Sequence, residues 1–212
     1  LMKTNDSEIT QLTHSARENS GLLFSPDGST LYFKQAWYVY ENNPPLQEEI
    51  FVVDVEEKYP RQLTRDRKRK MPIAASEFTL FYSKNTGKNN DYKNELWMVK
   101  PDGSENKAVM NKCGHGNCEI VKLMPDRQAI VLIDDLNREF NYQVYLKYIT
   151  GKGNLVQLTH YKKGVINFAV SPDGKEIIYN VLPDNITGRA ERAMYRLPIE
   201  SGKPVYVGKN CK

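Results

Sequence analysis

The residues best equipped for chemistry in this 212-residue sequence are three histidines, three cysteines and the acids and bases of a few long polar stretches. His14 and His160 each follow a Gln-Leu-Thr triplet, and His115 lies inside Cys113-Gly114-His115-Gly116-Asn117-Cys118. Three imidazoles meeting at one mouth would suit a metal. The plainer reading, which their placement favours, is three rim residues that follow outer strands and do not converge. Two glycines let the cysteine loop close, so Cys113 and Cys118 read either as a local disulfide or as free thiols, with Cys211 left over. A zinc site on the same loop lacks a fourth ligand at matching spacing. Asp134 and Asp135 end an apolar run, where successive side chains point apart, which argues against a catalytic carboxylate pair.

Other chemistries are absent as motifs. The sequence has no Gly-x-Ser-x-Gly elbow, phosphate loop or dinucleotide fingerprint. No run of about 18 apolar residues is present, so membrane insertion through a helix is not expected. The formal net charge of +4 comes from 30 basic and 26 acidic residues. Arg65-Asp66-Arg67-Lys68-Arg69-Lys70 carries all of that excess, and the rest of the chain balances. A general nucleic-acid footprint is therefore missing. The run reads as a solvated loop or, through Arg67, Lys68 and Arg69, as a contact for an anionic partner.

The elements that must hold these residues are read from a repeated phrase. Phe24-Ser25-Pro26-Asp27-Gly28, then Ser29 to Phe33, returns as Val170-Ser171-Pro172-Asp173-Gly174, then Lys175 to Tyr179. Weaker copies run through Met124-Pro125-Asp126 and through Ala74-Ala75-Ser76. With Ser25, Ala74, Met124 and Ser171 taken as equivalent, the spacings are 49, 50 and 47 residues. Each unit reads as four short alternating strands with Pro, Asp and Gly at the turns. The expected fold is all-β, a β-propeller of four-stranded antiparallel blades. A leading half-blade at 1–13 and blades at about 16–64, 66–111, 117–159 and 164–208 make one domain over 1–212. Four blades and a half fall short of a usual ring. The expectation is a part of a larger propeller, closed by more chain, with a ring of two copies or a compact four-bladed form as the alternatives.

An aromatic before Ser-Pro-Asp-Gly, with Gln-Leu-Thr some 12 residues upstream, resembles the TolB-type (PD40, WD40-like) propeller repeat. Similar repeats occur in the propeller domains of prolyl oligopeptidase and dipeptidyl peptidase enzymes and in oligogalacturonate lyases. The resemblance implies a non-catalytic interaction propeller in the cell envelope, periplasmic or extracellular, with a protein partner and no cofactor, nucleic acid or metal. Its long loops, on the face opposite the Pro-Asp-Gly turns, would present Trp37, Tyr38, Tyr40, Tyr92, Arg138 and Arg189 to that partner. The alternatives it implies are a metal-assisted lyase for acidic oligosaccharides, using His14, His115, His160 and the basic loop, or a propeller that gates a peptidase.

Overall fold

A computed structural model of the chain describes residues 9–15, 17–37, 47–87, 93–114, 118, 120–124, 128–136, 141–150, 153–181 and 192–209. Among these, sixteen strands form four antiparallel sheets, each a meander of four consecutive strands. The first sheet holds β1 (Glu18–Phe24), β2 (Thr30–Trp37), β3 (Gln47–Asp54) and β4 (Arg61–Gln62). The second holds β5 (Lys70–Ala75), β6 (Leu80–Asn85), β7 (Asn94–Val99) and β8 (Lys107–Met110). The third holds β9 (Ile120–Leu123), β10 (Ala129–Asp134), β11 (Gln143–Tyr148) and β12 (Leu155–Gln157). The fourth holds β13 (Val165–Val170), β14 (Glu176–Val181), β15 (Ala193–Pro198) and β16 (Val205–Lys209). This is the expected series of propeller blades, with the sheets left unclosed. Most of the leading half-blade lies outside the described residues.

The chain divides into two compact units, Leu1–Val109 and Met110–Lys212. In the first, the β2–β3 centre of blade 1 is buried on both faces. Tyr32, Ile50 and Val52 pack on Leu80, Tyr82 and Val99 of blade 2. The other face places Leu31, Phe33 and Val53 under Leu12, whose triplet precedes the blade. In the second unit, Val131, Ile133, Val144 and Leu146 of blade 3 pack on Phe168, Ile177, Tyr179 and Leu197 of blade 4. β10 is buried along its whole length, whereas β14 alternates. Ile177 and Tyr179 are covered, but Ile178 is 44% exposed. Alternation is the signature of a strand with one covered face.

The repeated turn is held by its own side chains. Ser25 donates its hydroxyl to Asp27 Oδ1 and receives the Thr30 N–H, while Gly28 takes φ 74° and closes onto Ser25 O. Ser171, Asp173 and Gly174 repeat the arrangement, with Gly174 at φ 72°. A positive φ is cheap only for glycine, so the motif is a backbone requirement. In blade 2 the equivalent residue is Ser76 rather than Ala74. Its N–H bonds to Thr79 O where that of Ser25 bonds to Thr30 O, so the turn is shorter and needs neither proline nor glycine.

Gln-Leu-Thr is a latch at the end of a short outer strand. Gln11, Gln62 and Gln157 each donate from Nε2 to the carbonyl of the threonine two residues on, at 2.6–2.7 Å. The hydroxyls of Thr64 and Thr159 then accept the N–H groups of Ile50 and Val144, at 2.9 and 2.8 Å. Both threonines are buried, so no water can replace them. Thr159→Val keeps the volume and strands the Val144 N–H. We expect a loss of about 1–3 kcal/mol in denaturant unfolding, and an unchanged midpoint would dismiss the latch.

Candidate functional site

In the first unit, the end of the blades opposite the Ser25 turn is built on a buried ionic network. β3 begins three residues before the apolar run that opens at Ile50, which draws Glu48 and Glu49 into the sheet at 4% and 1% exposure. Lys70, first residue of β5, is 2% exposed. Its ammonium donates to Glu49 Oε2 at 3.1 Å and to the carbonyls of Glu48 and Lys68 at 2.9 Å, and forms an ion pair with Asp66. Its own N–H donates to Glu48 Oε2 at 2.7 Å. Lys34 pairs with Glu48 at 2.9 Å, and Lys84 pairs with Asp66 while lying 3.6 Å above the Trp97 ring. Three carboxylates meet three ammoniums, so the cluster is neutral. Burial of charge is tolerable only on such terms.

This corrects the expectation of a wholly solvated basic loop. Lys70 leaves the solvent-facing charge and, tied to the still exposed Asp66, becomes the loop's foundation. The Arg67 N–H donates to Glu49 Oε1 at 2.5 Å, the Lys68 carbonyl accepts from Lys70, and the Arg69 carbonyl accepts from the Asn85 N–H at 2.9 Å. Arg67 sits at φ 57°, a conformation that this bonding holds in place. Arg65, Arg67, Lys68 and Arg69 remain exposed. Among the described residues, none of these four side chains has an ion pair.

Burial pushes the Asp66 carboxyl up, but hydrogen bonds from Lys70 and Lys84 outweigh it and hold the group at about 2. An unfolded aspartate titrates at about 3.9. Because the folded value is the lower one, the network's contribution is complete above about pH 4 and is lost as pH falls towards about 2. Thermal melts from pH 6 down to pH 2 should show Asp66→Asn with a shallower acid decline than the unsubstituted chain. Parallel declines would remove Asp66 from the network.

The second unit answers the same repeat position with neutral groups. Gln143 stands where Glu49 does, accepting the Thr159 hydroxyl at 2.8 Å and the Tyr161 N–H at 3.1 Å. Val165 stands where Lys70 does. Nearby, Cys113 and Cys118 are joined by a disulfide with a Cα–Cα distance of 5.7 Å. Gly114 donates its N–H to Asp134 Oδ1 at 2.7 Å, and Asp135 does the same. Asp134 and Asp135 are each 1% exposed. Burial pushes the Asp134 carboxyl up to about 6 against the pull of those two donors. The sequence places Asp134 at a strand end; its approach to the cysteine loop comes only from the sheet.

Other expected residues divide plainly. Trp37 closes β2, half-buried, with the Arg17 guanidinium 4.6 Å from its ring centroid. His14 and His160 are exposed beyond the latch, as rim residues would be. Tyr38, Tyr40, Tyr92, His115, Arg138 and Arg189 lie outside the described residues.

No family model matches this chain, and no curated protein matches it. Solved structures do match it in fold. TolB from Acinetobacter baumannii superposes at TM-score 0.61 and 14% identity, over 99% of this chain and 48% of that one. An oligogalacturonate lyase in complex with manganese gives 0.66 and 13%, over 93% and 55%. A puromycin-hydrolysing peptidase from Mycobacterium tuberculosis gives 0.64 and 15%, over 94% and 30%. The fold is thus that of the TolB-like β-propellers. The chain spans about half the length of the first two of these proteins.

Proposed function

We propose that the chain is a non-catalytic binding propeller that holds a protein partner through the ends of its blades opposite the Pro-Asp-Gly turns. The observation that carries this reading is the basic loop: a backbone pinned by a neutral ionic network, presenting Arg65, Arg67, Lys68 and Arg69 with no ion-pair partner of their own among the described residues. Unpaired, fixed cations favour an acidic surface, because little side-chain charge must first be released from another contact. Trp37 and the sequence-expected Tyr38, Tyr40, Tyr92, Arg138 and Arg189 would supply the remaining contact area. A periplasmic or extracellular location accompanies this reading, supported by a disulfide of the kind that persists in oxidising compartments.

The test is capture from a cell-envelope extract by the unsubstituted chain and by a variant with Arg65, Arg67, Lys68 and Arg69 all changed to Gln. A specific partner should be retained by the first, lost from the second, and weakened by salt that screens exposed charge. Equal capture by both would overturn the role of the loop. Turnover of an acidic oligosaccharide by the purified chain would replace the reading with the lyase one. Co-purification with a peptidase whose substrate range changes on removal of this chain would favour gating.

A further inference from the structure

The connection from β8 to β9 brings two sulfurs and a carboxylate to one buried point. Cys113, Cys118 and Asp134 are each 1% exposed, and one ligand atom from each lies within 4.8 Å of the other two. Asp134 Oδ1 is satisfied by the Gly114 and Asp135 N–H groups. Oδ2 instead faces Cys118 Sγ at 3.8 Å. In the disulfide that sulfur carries no proton to give. Among the described residues Oδ2 has no other hydrogen-bond donor, and a buried carboxylate oxygen without one is costly. Reduction relieves it, since a thiol at Cys118 donates to Oδ2. A cation shared between both thiolates and the carboxylate relieves it further.

We propose that the reduced form of this loop is a binding site for a thiophilic divalent cation, Zn²⁺ in the first place, held by Cys113 Sγ, Cys118 Sγ and Asp134 Oδ2, with the disulfide as the closed form of the site. Zinc takes thiolate sulfur at about 2.3 Å and carboxylate oxygen at about 2.0–2.2 Å, which sets tetrahedral ligand atoms roughly 3.5–4 Å apart. The three atoms already lie near that spacing, except that the two sulfurs must part from bonding distance. Two thiolates and a carboxylate leave one negative charge on the zinc complex, next to the Lys112 ammonium, whose charge acts on Asp134. The N–H bonds to Oδ1 orient the carboxylate and leave Oδ2 for the metal, the arrangement that outer hydrogen bonds give to ligating carboxylates.

Opening requires a dithiol reductant. It supplies two electrons and two protons, the Cys113–Cys118 bond breaks to two thiols, and the reductant leaves as its own disulfide. Metal entry then displaces both thiol protons to solvent.

The experiment uses the full chain carrying Cys211→Ser, so that only these two thiols are present. It is reduced, freed of reductant without air, and titrated with Cd²⁺ and with Zn²⁺. One cation per chain should bind, with a cadmium–thiolate absorption band that the oxidised chain does not develop. Asp134→Asn should weaken binding about tenfold or more, the scale expected for disturbing a ligating group. X-ray absorption at the zinc edge reads the ligand set without any change at Asp134, and should show two sulfurs and the remainder oxygen or nitrogen. No thiolate band on reduction, a metal bound equally by the oxidised chain, or a zinc shell without sulfur would each overturn the proposal. Unchanged affinity in Asp134→Asn would remove the carboxylate from it.

Discussion

Lys70→Met should cost about 3–5 kcal/mol, the range for removing one partner of a buried ion pair. Glu49 would keep the Thr64 hydroxyl and the Arg67 N–H but lose its buried cation. Glu49→Gln alone should cost less, near 1–3 kcal/mol, since Lys70 retains Asp66 and two carbonyls. The double variant should cost less than the sum of the two single losses. It places at 49 and 70 an amide and an apolar side chain, as Gln143 and Val165 stand at the same repeat positions in the second unit. A coupling of about 2–3 kcal/mol is expected from the double-mutant cycle. Denaturant unfolding followed by tryptophan fluorescence measures it, because Trp37 and Trp97 both belong to the first unit. Simple additivity of the two single losses would show that the charged network is replaceable piece by piece.

Gly114→Ala is the second large effect. A Cβ on Gly114 would stand 1.9 Å from the Asp135 carbonyl oxygen and 2.6 Å from Asp134 Oδ1. The nearest clash is with backbone, which cannot turn aside as a side chain can. We expect a loss of about 3 kcal/mol or more, at the high end for overpacking, and a loop that no longer closes its disulfide. Alkylation under denaturing conditions should then count two more free thiols than in the unsubstituted chain. Gly28→Ala is the control. Nothing lies within 4 Å of a Cβ there, so only its φ of 74° is strained, at about 1 kcal/mol. Equal losses at the two glycines would mean that the Gly114 contact relaxes.

The basic loop and the cation site stand on different units and can fail separately. Neutralising the basic loop touches neither cysteine. Reducing the disulfide leaves the Glu49–Lys70 network intact.

What was legible in the sequence is what short-range bonding builds. The turn at Ser25 and its copy at Ser171 are closed by side chains two to five residues away. The glutamine of each latch bonds two residues ahead. Such features repeat wherever the local phrase repeats, so the blades could be counted from the phrase. The one displaced landmark, Ser76 for Ala74, arose where the turn shortened and the phrase was lost. Strand limits were less legible. Glu48 and Glu49 look like solvent-facing residues before an apolar strand, yet they form its first turns of pairing, with Glu48 opposite Ala36 and Glu49 opposite Gln35.

Residue pattern was enough for the β architecture, its repeat, the recurrence of Gln-Leu-Thr and the place where the surplus charge sits. Tertiary structure alone decided which charges are surplus. Lys70 meets Glu49 across 21 residues, and Cys118 meets Asp134 across 16. Neither partner is marked by local spacing, because each is delivered by sheet register and blade packing. Burial then changes what the residues do: a lysine of the basic run becomes the buried counter-ion under it, and an acid at a strand end becomes the neighbour of two sulfurs.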